Sequence, residues 1–383
     1  MEEDGFMKIH SVGFPRMRKE AGERRVFLPE FIQFLAEMGL KVVLEDGYGS
    51  RSGFTFDDYQ QGHINIVRGS REEAFQQDLV IVLRSPKEEE FSLLRRGAIL
   101  FSMLHYPTRP NRVKLLRELG IRAISMDSVV DDNNERLVEN MRAVAWNGLE
   151  VAFDVLEKRW PGLKKPGDQP IVVLILGAGA VGKHAVEAAT KLGNVERNEE
   201  HIRAGGPGAV AWVVGRSITR QPEQMRHLMG LADMLVDATQ RRDTSRPVIP
   251  NAWIGWLPEH AVVVDLAVDP YLPQANPPVV RGIEGIPQGN LDKYVFYPED
   301  PDWTFTIPEG VPTEQRRVTV TCYSWPGIHP EACMRHYAKQ LQPLLEVLVE
   351  KGYEGLSPHG GYFERALYRA TLDGWLRAAG GEI

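Results

Sequence analysis

The sequence predicts an α/β protein of two domains, each built on a parallel sheet. Three observations predict it. The chain has 383 residues, more than one hydrophobic core usually serves. Its N-terminal third alternates short apolar runs with helix-like segments, the pattern of strands joined by helical crossovers. Ile171 to Leu192, IVVLILGAGAVGKHAVEAATKL, reads as a buried strand, a glycine turn and a helix.

Bulk composition narrows the class. A hydrophobic fraction of 43% and a charged fraction of 25% are those of an ordinary globular chain. With a net charge of -7, nothing in the composition resembles a basic nucleic-acid surface. Two cysteines, Cys322 and Cys333, make neither a disulfide framework nor a metal cluster, so no metal is expected. No apolar run approaches the roughly 20 residues of a membrane span. The opening MEEDGFMKIH is acidic where a signal peptide would be basic. A cytoplasmic protein is expected.

In order, a strand is expected over Met7 to Val12, then the charged loop FPRMRKEAGERR. Pro29 suits a first helical turn, and Phe31, Phe34, Leu35 and Met38 give that helix an apolar face ended by Gly39. Leu40 to Leu44 is a strand, Gly47, Gly49 and Gly53 mark turns, and a short helix closes over Ala74 to Gln77. Strands follow at Leu79 to Leu83, Ile99 to Leu104 and Ile121 to Ile124, with a helix over Asn111 to Leu119. Leu137 to Trp160 is a long helix that Pro161 stops. Later strands are expected at Val210 to Val214, Met234 to Ala238 and Val262 to Leu266, and the second sheet is expected to end near residue 300. The polar insertion NVERNEEHIRAGGPG reads as a solvated loop. His329 to Glu350 is a second long helix, and Tyr362 to Ala379 a closing helix that returns to the first domain. The expected domains are 1-136 with 329-383, and 137-328, joined by the two long helices with a cleft between them.

Chemistry is sought at the carboxyl ends of the strands, where open α/β sheets bind ligands. Gly177, Gly179 and Gly182 have G-x-G-x-x-G spacing directly after a strand and into a helix. The first glycine permits the tight turn, the second lets backbone approach a pyrophosphate, and the third lets helix pack on strand. The helix start, with Ala180 and Val181, offers N–H groups and a positive dipole end to phosphates. This predicts a Rossmann-like, dinucleotide-binding second domain. Its second strand ends in Gly215, Arg216 and Ser217, with Arg220 following, where an NAD site usually carries an acid for the ribose 2′-hydroxyl. A guanidinium and a hydroxyl suit a 2′-phosphate, so NADP is expected over NAD. In the first domain, strand ends deliver Arg84 and His105, and Arg24 and Arg25 lie on the first loop. Guanidinium groups suit bidentate capture of carboxylates, and a histidine suits proton transfer to a reacting carbonyl or amine. Asp269 follows the strand 262–266 in the second domain.

Six segments, in this order, carry a resemblance: GFPRMRKEAGERRVFLPE, DLVIVLRSP, LFSMLHYP, ILGAGAVG, VVVDLAVD and YSWPGIHP. With them the chain, over roughly residues 7 to 350, resembles the alanine dehydrogenase family. That family includes the N-terminal part of the proton-pumping transhydrogenase, lysine-forming saccharopine dehydrogenase and N5-(carboxyethyl)ornithine synthase. The resemblance implies that Arg25 clamps the substrate carboxylate, that His105 transfers the proton and that Asp269 stands beside the nicotinamide. It also implies that Leu266 belongs to the cofactor site and that the loop Tyr323 to Gly327, with Trp325, closes over it. Arg84 stands where the family has a substrate-binding lysine, and Trp325 where alanine dehydrogenases carry a smaller residue. Arginine can bind an anion but cannot lose its proton, so the pocket should differ from one for pyruvate and alanine. The expected function is hydride transfer between a nicotinamide and the α-carbon of an amino acid or imine, in a homo-oligomer acting on a small molecule. Alternatives are an opine-type condensation of a 2-oxo acid with an amino acid, and a non-catalytic dinucleotide-binding module.

Overall fold

The structure, a computed structural model, describes residues 8–18, 22–241 and 243–380. The chain divides into two compact units, Met1–Glu139 with Pro330–Ile383, and Asn140–His329.

The first unit starts with β1 (Ser11–Phe14), α1 (Pro29–Glu37), β2 (Lys41–Glu45), α2 (Phe56–Gln60), β3 (Ile66–Gly69) and α3 (Arg71–Phe75). Then come β4 (Leu79–Arg84), β5 (Ile99–Met103), α4 (Pro110–Glu118) and β6 (Arg122–Ser125). The strands form one sheet in the order β3-β2-β1-β4-β5-β6, with every pairing parallel. The order reverses between β1 and β4, which makes the crevice at their carboxyl ends the place for a ligand. β4 explains why the run LVIVL is apolar throughout. Leu79, Ile81 and Leu83 face one core cluster, Val80 and Val82 the other, so both faces of this strand are buried. The expected first strand begins later, at Ser11, and Met7 lies outside the described residues.

The second unit opens with α5 (Met141–Arg159) and continues with β7 (Ile171–Leu176), α6 (Ala180–Thr190), α7 (Val195–Arg203), β8 (Ala209–Val214), α8 (Arg216–Thr219), α9 (Pro222–Leu231) and β9 (Met234–Asp237). After α10 (Asn251–Ile254) and β10 (Val262–Asp265), a long irregular stretch holds β11 (Val295–Phe296) and α11 (Asp302–Phe305) and ends in β12 (Val318–Thr321). The sheet order is β11-β12-β10-β9-β7-β8. Only β11 is antiparallel. The switch in order falls between β7 and β9, beside the glycine turn.

Two expectations are corrected here. The insertion after α6 is the helix α7, not a loop. Asn194 caps it, its side-chain oxygen accepting from Arg197 N at 3.1 Å, and the Arg197 guanidinium pairs with Asp154 of α5. His201 locks its other end, taking Gly208 N on Nε2 at 2.9 Å while Nδ1 meets Gly162 O at 2.9 Å. Nor does the sheet end near residue 300. β12 lies beside β10 in register from Val262↔Val318 to Asp265↔Thr321.

The chain returns to the first unit through α12 (Pro330–Lys351), α13 (Tyr362–Ala370) and α14 (Leu372–Ala378). The apolar side of α12, including Met334, Leu341, Leu344, Leu345 and Leu348, completes the first core. The expected single closing helix is two. At Thr371 the backbone is extended (φ -63°, ψ 149°), and the Thr371 hydroxyl accepts from Gly374 N at 3.0 Å to start α14.

Candidate active site

In the first unit, the carboxyl ends of β1, β4, β5 and β6 are neighbours. Arg84 ends β4 and pairs in register with Met103 of β5. His105 follows two residues later. Its backbone is left-handed (φ 52°, ψ 50°), uncommon for a residue with a side chain and worth about 1–3 kcal/mol of strain. The surroundings hold it there. His105 N donates to Asp127 Oδ1 at 3.1 Å, and Leu104 N to Ser125 Oγ at 3.1 Å. Arg112 Nη1 donates to Leu104 O at 2.9 Å.

The imidazole is held as well. His105 Nδ1 lies 3.2 Å from Asp127 Oδ2, with the histidine side chain 45% exposed and the aspartate 8%. The Ser125 hydroxyl donates to Asp127 Oδ1 at 2.8 Å. Burial pushes the Asp127 carboxyl up, but bonding and charge from His105 and the Ser125 hydroxyl outweigh it and hold the group down at about 2. Asp127 is therefore a carboxylate at any ordinary pH. It fixes the ring with Nδ1–H toward itself, which leaves Nε2 to face a reacting group.

Arg25 lies on the loop after β1 and is buried. A second polar cluster ties Arg16, Arg18 and Glu23, which precede it in the chain, to the neighbouring elements. Arg16 forks onto Glu23, Nε to Oε2 at 2.9 Å and Nη2 to Oε1 at 2.7 Å. Buried Glu45, at the end of β2, accepts from Arg16 N at 2.7 Å, from Arg71 Nη1 at 2.8 Å and from Arg18. Arg25 faces α12. Burial chiefly pushes the Tyr337 phenol well above its ordinary range, and the Arg25 charge is among those opposing the rise.

In the second unit the glycine turn has the expected form. Gly177 has φ 94°, and a Cβ there would stand 2.9 Å from Ala238 O. A Cβ on Gly182 would stand 2.2 Å from Gly177 O. A Cβ on Gly179 would meet no atom within 4 Å. Two glycines are thus required by the chain's own packing, while the third borders open space at the start of α6. No side chain caps α6, so the N–H groups of Ala180, Val181 and Gly182 are available to an anion. These features fit a dinucleotide pyrophosphate. Val214 ends β8, and Gly215, Arg216, Ser217 and Arg220 are exposed beyond it. Arg216 Nη2 reaches Gln240 O at 3.3 Å.

The remaining expected residues lie in one network at the other strand ends. Leu176, Asp237, Asp265 and Thr321 form a row across β7, β9, β10 and β12. Asp265 Oδ1 accepts from Ala267 N at 3.0 Å and Val268 N at 2.9 Å. This holds Val268 at φ 56°, costly for a β-branched residue. The turn presents Asp269, whose Oδ2 accepts from Arg241 Nη2 at 2.6 Å and Nε at 3.2 Å. Leu266 is buried beside α5, where a Cβ on Gly148 would stand 2.4 Å from Leu266 Cδ2. Trp325 is also buried. Its indole N–H donates to Asp265 O at 2.8 Å, and Asn147 Nδ2 donates to Trp325 O at 3.0 Å.

Sequence reasoning missed several members. Asp127 and Ser125 are the partners of His105. In the second unit, fully buried Arg281 pairs with Asp265 Oδ2 and donates to Thr321 Oγ1 at 2.8 Å. Asp237 accepts from Thr239 N and Oγ1 at 2.9 and 2.7 Å on Oδ1. Burial first, and the Asp265 charge second, push Asp237 up to about 7. An aspartate at a strand end was the one available signal for either acid.

Residues 13–145 match the family model described as alanine dehydrogenase/PNT, N-terminal domain. Alanine dehydrogenase 1 of Staphylococcus aureus (strain NCTC 8325 / PS 47) is 33% identical over 266 residues, which cover 65% of this chain and 70% of that protein. The chain belongs to the alanine dehydrogenase family. Alanine dehydrogenase of Bacillus subtilis (strain 168) is 24% identical over 272 residues, 67% of this chain and 70% of that one. Two solved structures share the fold. An L-alanine dehydrogenase matches with a TM-score of 0.69 and 23% identity, covering 94% of both chains. A transhydrogenase from Sinorhizobium meliloti matches with a TM-score of 0.60 and 17% identity, covering 93% of this chain and 97% of that one. As a member of the alanine dehydrogenase family, the protein is an oxidoreductase of the amino-acid dehydrogenase class that uses a nicotinamide dinucleotide.

Proposed function

We propose that the protein interconverts an α-amino acid, or an N-substituted one, with the corresponding imine, and that His105 moves the proton. The observation that carries the reading is the His105–Asp127 pair at the ends of β5 and β6. A carboxylate fixes one ring nitrogen, and the other is available to a substrate amine or carbonyl. Arg25 and Arg84 bind carboxylate, since guanidinium groups make paired charge-assisted bonds to carboxylates. Arg84 stays charged and acts only as a binder.

A nicotinamide dinucleotide held at the β7 turn would supply or accept the hydride. Gly177, Gly179 and Gly182, with the N–H groups of Ala180 and Val181, would hold its pyrophosphate. Leu266 and Asp269 would stand at its nicotinamide end, with Trp325 fixing Asp265 behind them. Asp269 is a positioning group, because Arg241 already engages its carboxylate. Gly215, Arg216, Ser217 and Arg220 favour NADP, since the β8 end has no acid for a ribose hydroxyl and two guanidinium groups for a phosphate. Arg84 in the lysine position favours a substrate with a second carboxylate, as in opine-type condensation, over free pyruvate and ammonia.

Three assays test this. H105A should lower kcat by about 10²–10⁴-fold while leaving dinucleotide affinity unchanged; retained turnover overturns the role. NADPH should bind more tightly than NADH, and equal or better NADH binding overturns that preference. A panel of pyruvate or 2-oxoglutarate with ammonia, ornithine or lysine decides the substrate. Turnover with ammonia as the sole amine refutes the condensation reading.

A further inference from the structure

Next to the Arg25 loop, the first unit contains a pocket of about 280 Å³ that the proposed reaction does not use. Gly22, Arg24, Val26 and Leu28 line it, every second residue of one segment. The residues between them face elsewhere. Phe27 stacks on Phe31 at 4.6 Å and meets Phe14 at 5.8 Å, and Arg25 is buried. The opposite walls come from Arg51, Ser52 and Phe54, and from the first turn of α12 with Glu331 and Met334.

The lining is chemically divided. Arg24 and Arg51 carry positive charge and can take a carboxylate between two guanidinium groups. Val26, Leu28, Phe54 and Met334 form an apolar wall suited to a short hydrocarbon side chain. Among the described residues, Glu331 is the acid of the lining and can accept from an ammonium group. A cation pair, an apolar wall and a carboxylate match the three groups of one kind of molecule.

We propose that this pocket is a second binding site, for a small α-amino acid with an apolar side chain. Arg24 and Arg51 hold the carboxylate, Glu331 the ammonium, and the Val26–Phe54 wall the side chain. Binding here stands apart from the proposed reaction.

Calorimetry on the full chain, with L-leucine as probe, tests the site. Saturable binding is expected. It should weaken at least about tenfold in R51E, as loss of a charge-assisted bond implies, and should be lost in S52W, which fills the pocket from another wall. Arg51 is exposed, so R51E should melt like the parent. The 2-oxo acid with the same carbon skeleton should bind at least about tenfold more weakly for want of the ammonium. R25M should retain leucine binding even where it loses turnover, which separates this site from the reaction. The proposal is overturned by absence of saturable leucine binding, by binding that survives both R51E and S52W, by equal affinity for the oxo acid, or by binding that R25M alone abolishes.

Discussion

At the scale of single residues, the structure turns on carboxyls whose surroundings push them in opposite directions. Asp127 is held at about 2 although buried, because His105 and Ser125 bond to its charged form. Its stabilising contribution is complete above the unfolded value near pH 4 and is lost as pH falls through 2. A displacement from near 4 down to about 2 corresponds to about 2–3 kcal/mol. D127N should therefore lower the melting temperature at pH 6, and the difference from the parent should shrink between pH 4 and pH 2. A pH-independent difference would show that the carboxylate charge is not what stabilises. Asp237 is the opposite case. Raised to about 7, it costs nothing below pH 4, and stability declines as pH climbs from 4 to 7 and the buried group ionises. D237N should stabilise the chain at pH 8 in urea unfolding and match it at pH 4. Histidine at a strand end is visible in sequence. Asp127 is not, since SMDS reads as a turn and only the register of β6 on β5 brings it behind His105.

At the scale of elements, local pattern and tertiary context divide the work. The β7 turn is legible because its steric demands are local. The clash of a Gly182 Cβ with Gly177 O involves residues five apart. G182A should destabilise the chain by about 1–3 kcal/mol, the usual cost of overpacking, and weaken dinucleotide binding as well. G179A, whose Cβ would meet no protein atom, should leave the melting temperature in place and weaken only dinucleotide binding. A thermal melt and a titration on each variant separate the two demands, and equal melting losses would refute the distinction. α7 is illegible for the converse reason. VERNEEHIR lacks a continuous apolar face, and the helix depends on Asp154, Gly162 and Gly208, partners that sequence does not place nearby. β12 is four residues long and follows a long irregular stretch, so its place beside β10 comes from pairing, not pattern.

At the scale of the whole molecule, sequence length and strand–helix alternation are enough to predict two parallel sheets. The buried strands read as apolar runs, and the switch points follow from strand order. Among the described residues, no helix is long and apolar enough to cross a membrane, and no group of acids, histidines and cysteines is arranged to hold a metal ion.

The first unit is assembled from two separated stretches of chain, while the second is one unbroken stretch. α12 supplies Leu341, Leu344, Leu345 and Leu348 to the earlier core. A chain emerging from the ribosome therefore makes the β1–β6 sheet long before the helix that covers one of its faces. The nucleotide-type unit can mature first, and its apolar-faced neighbour must wait some two hundred residues of synthesis, at about 5–20 residues per second, for its cover. During that interval the uncovered side around Phe31 and Leu35 is where a chaperone would be of most use.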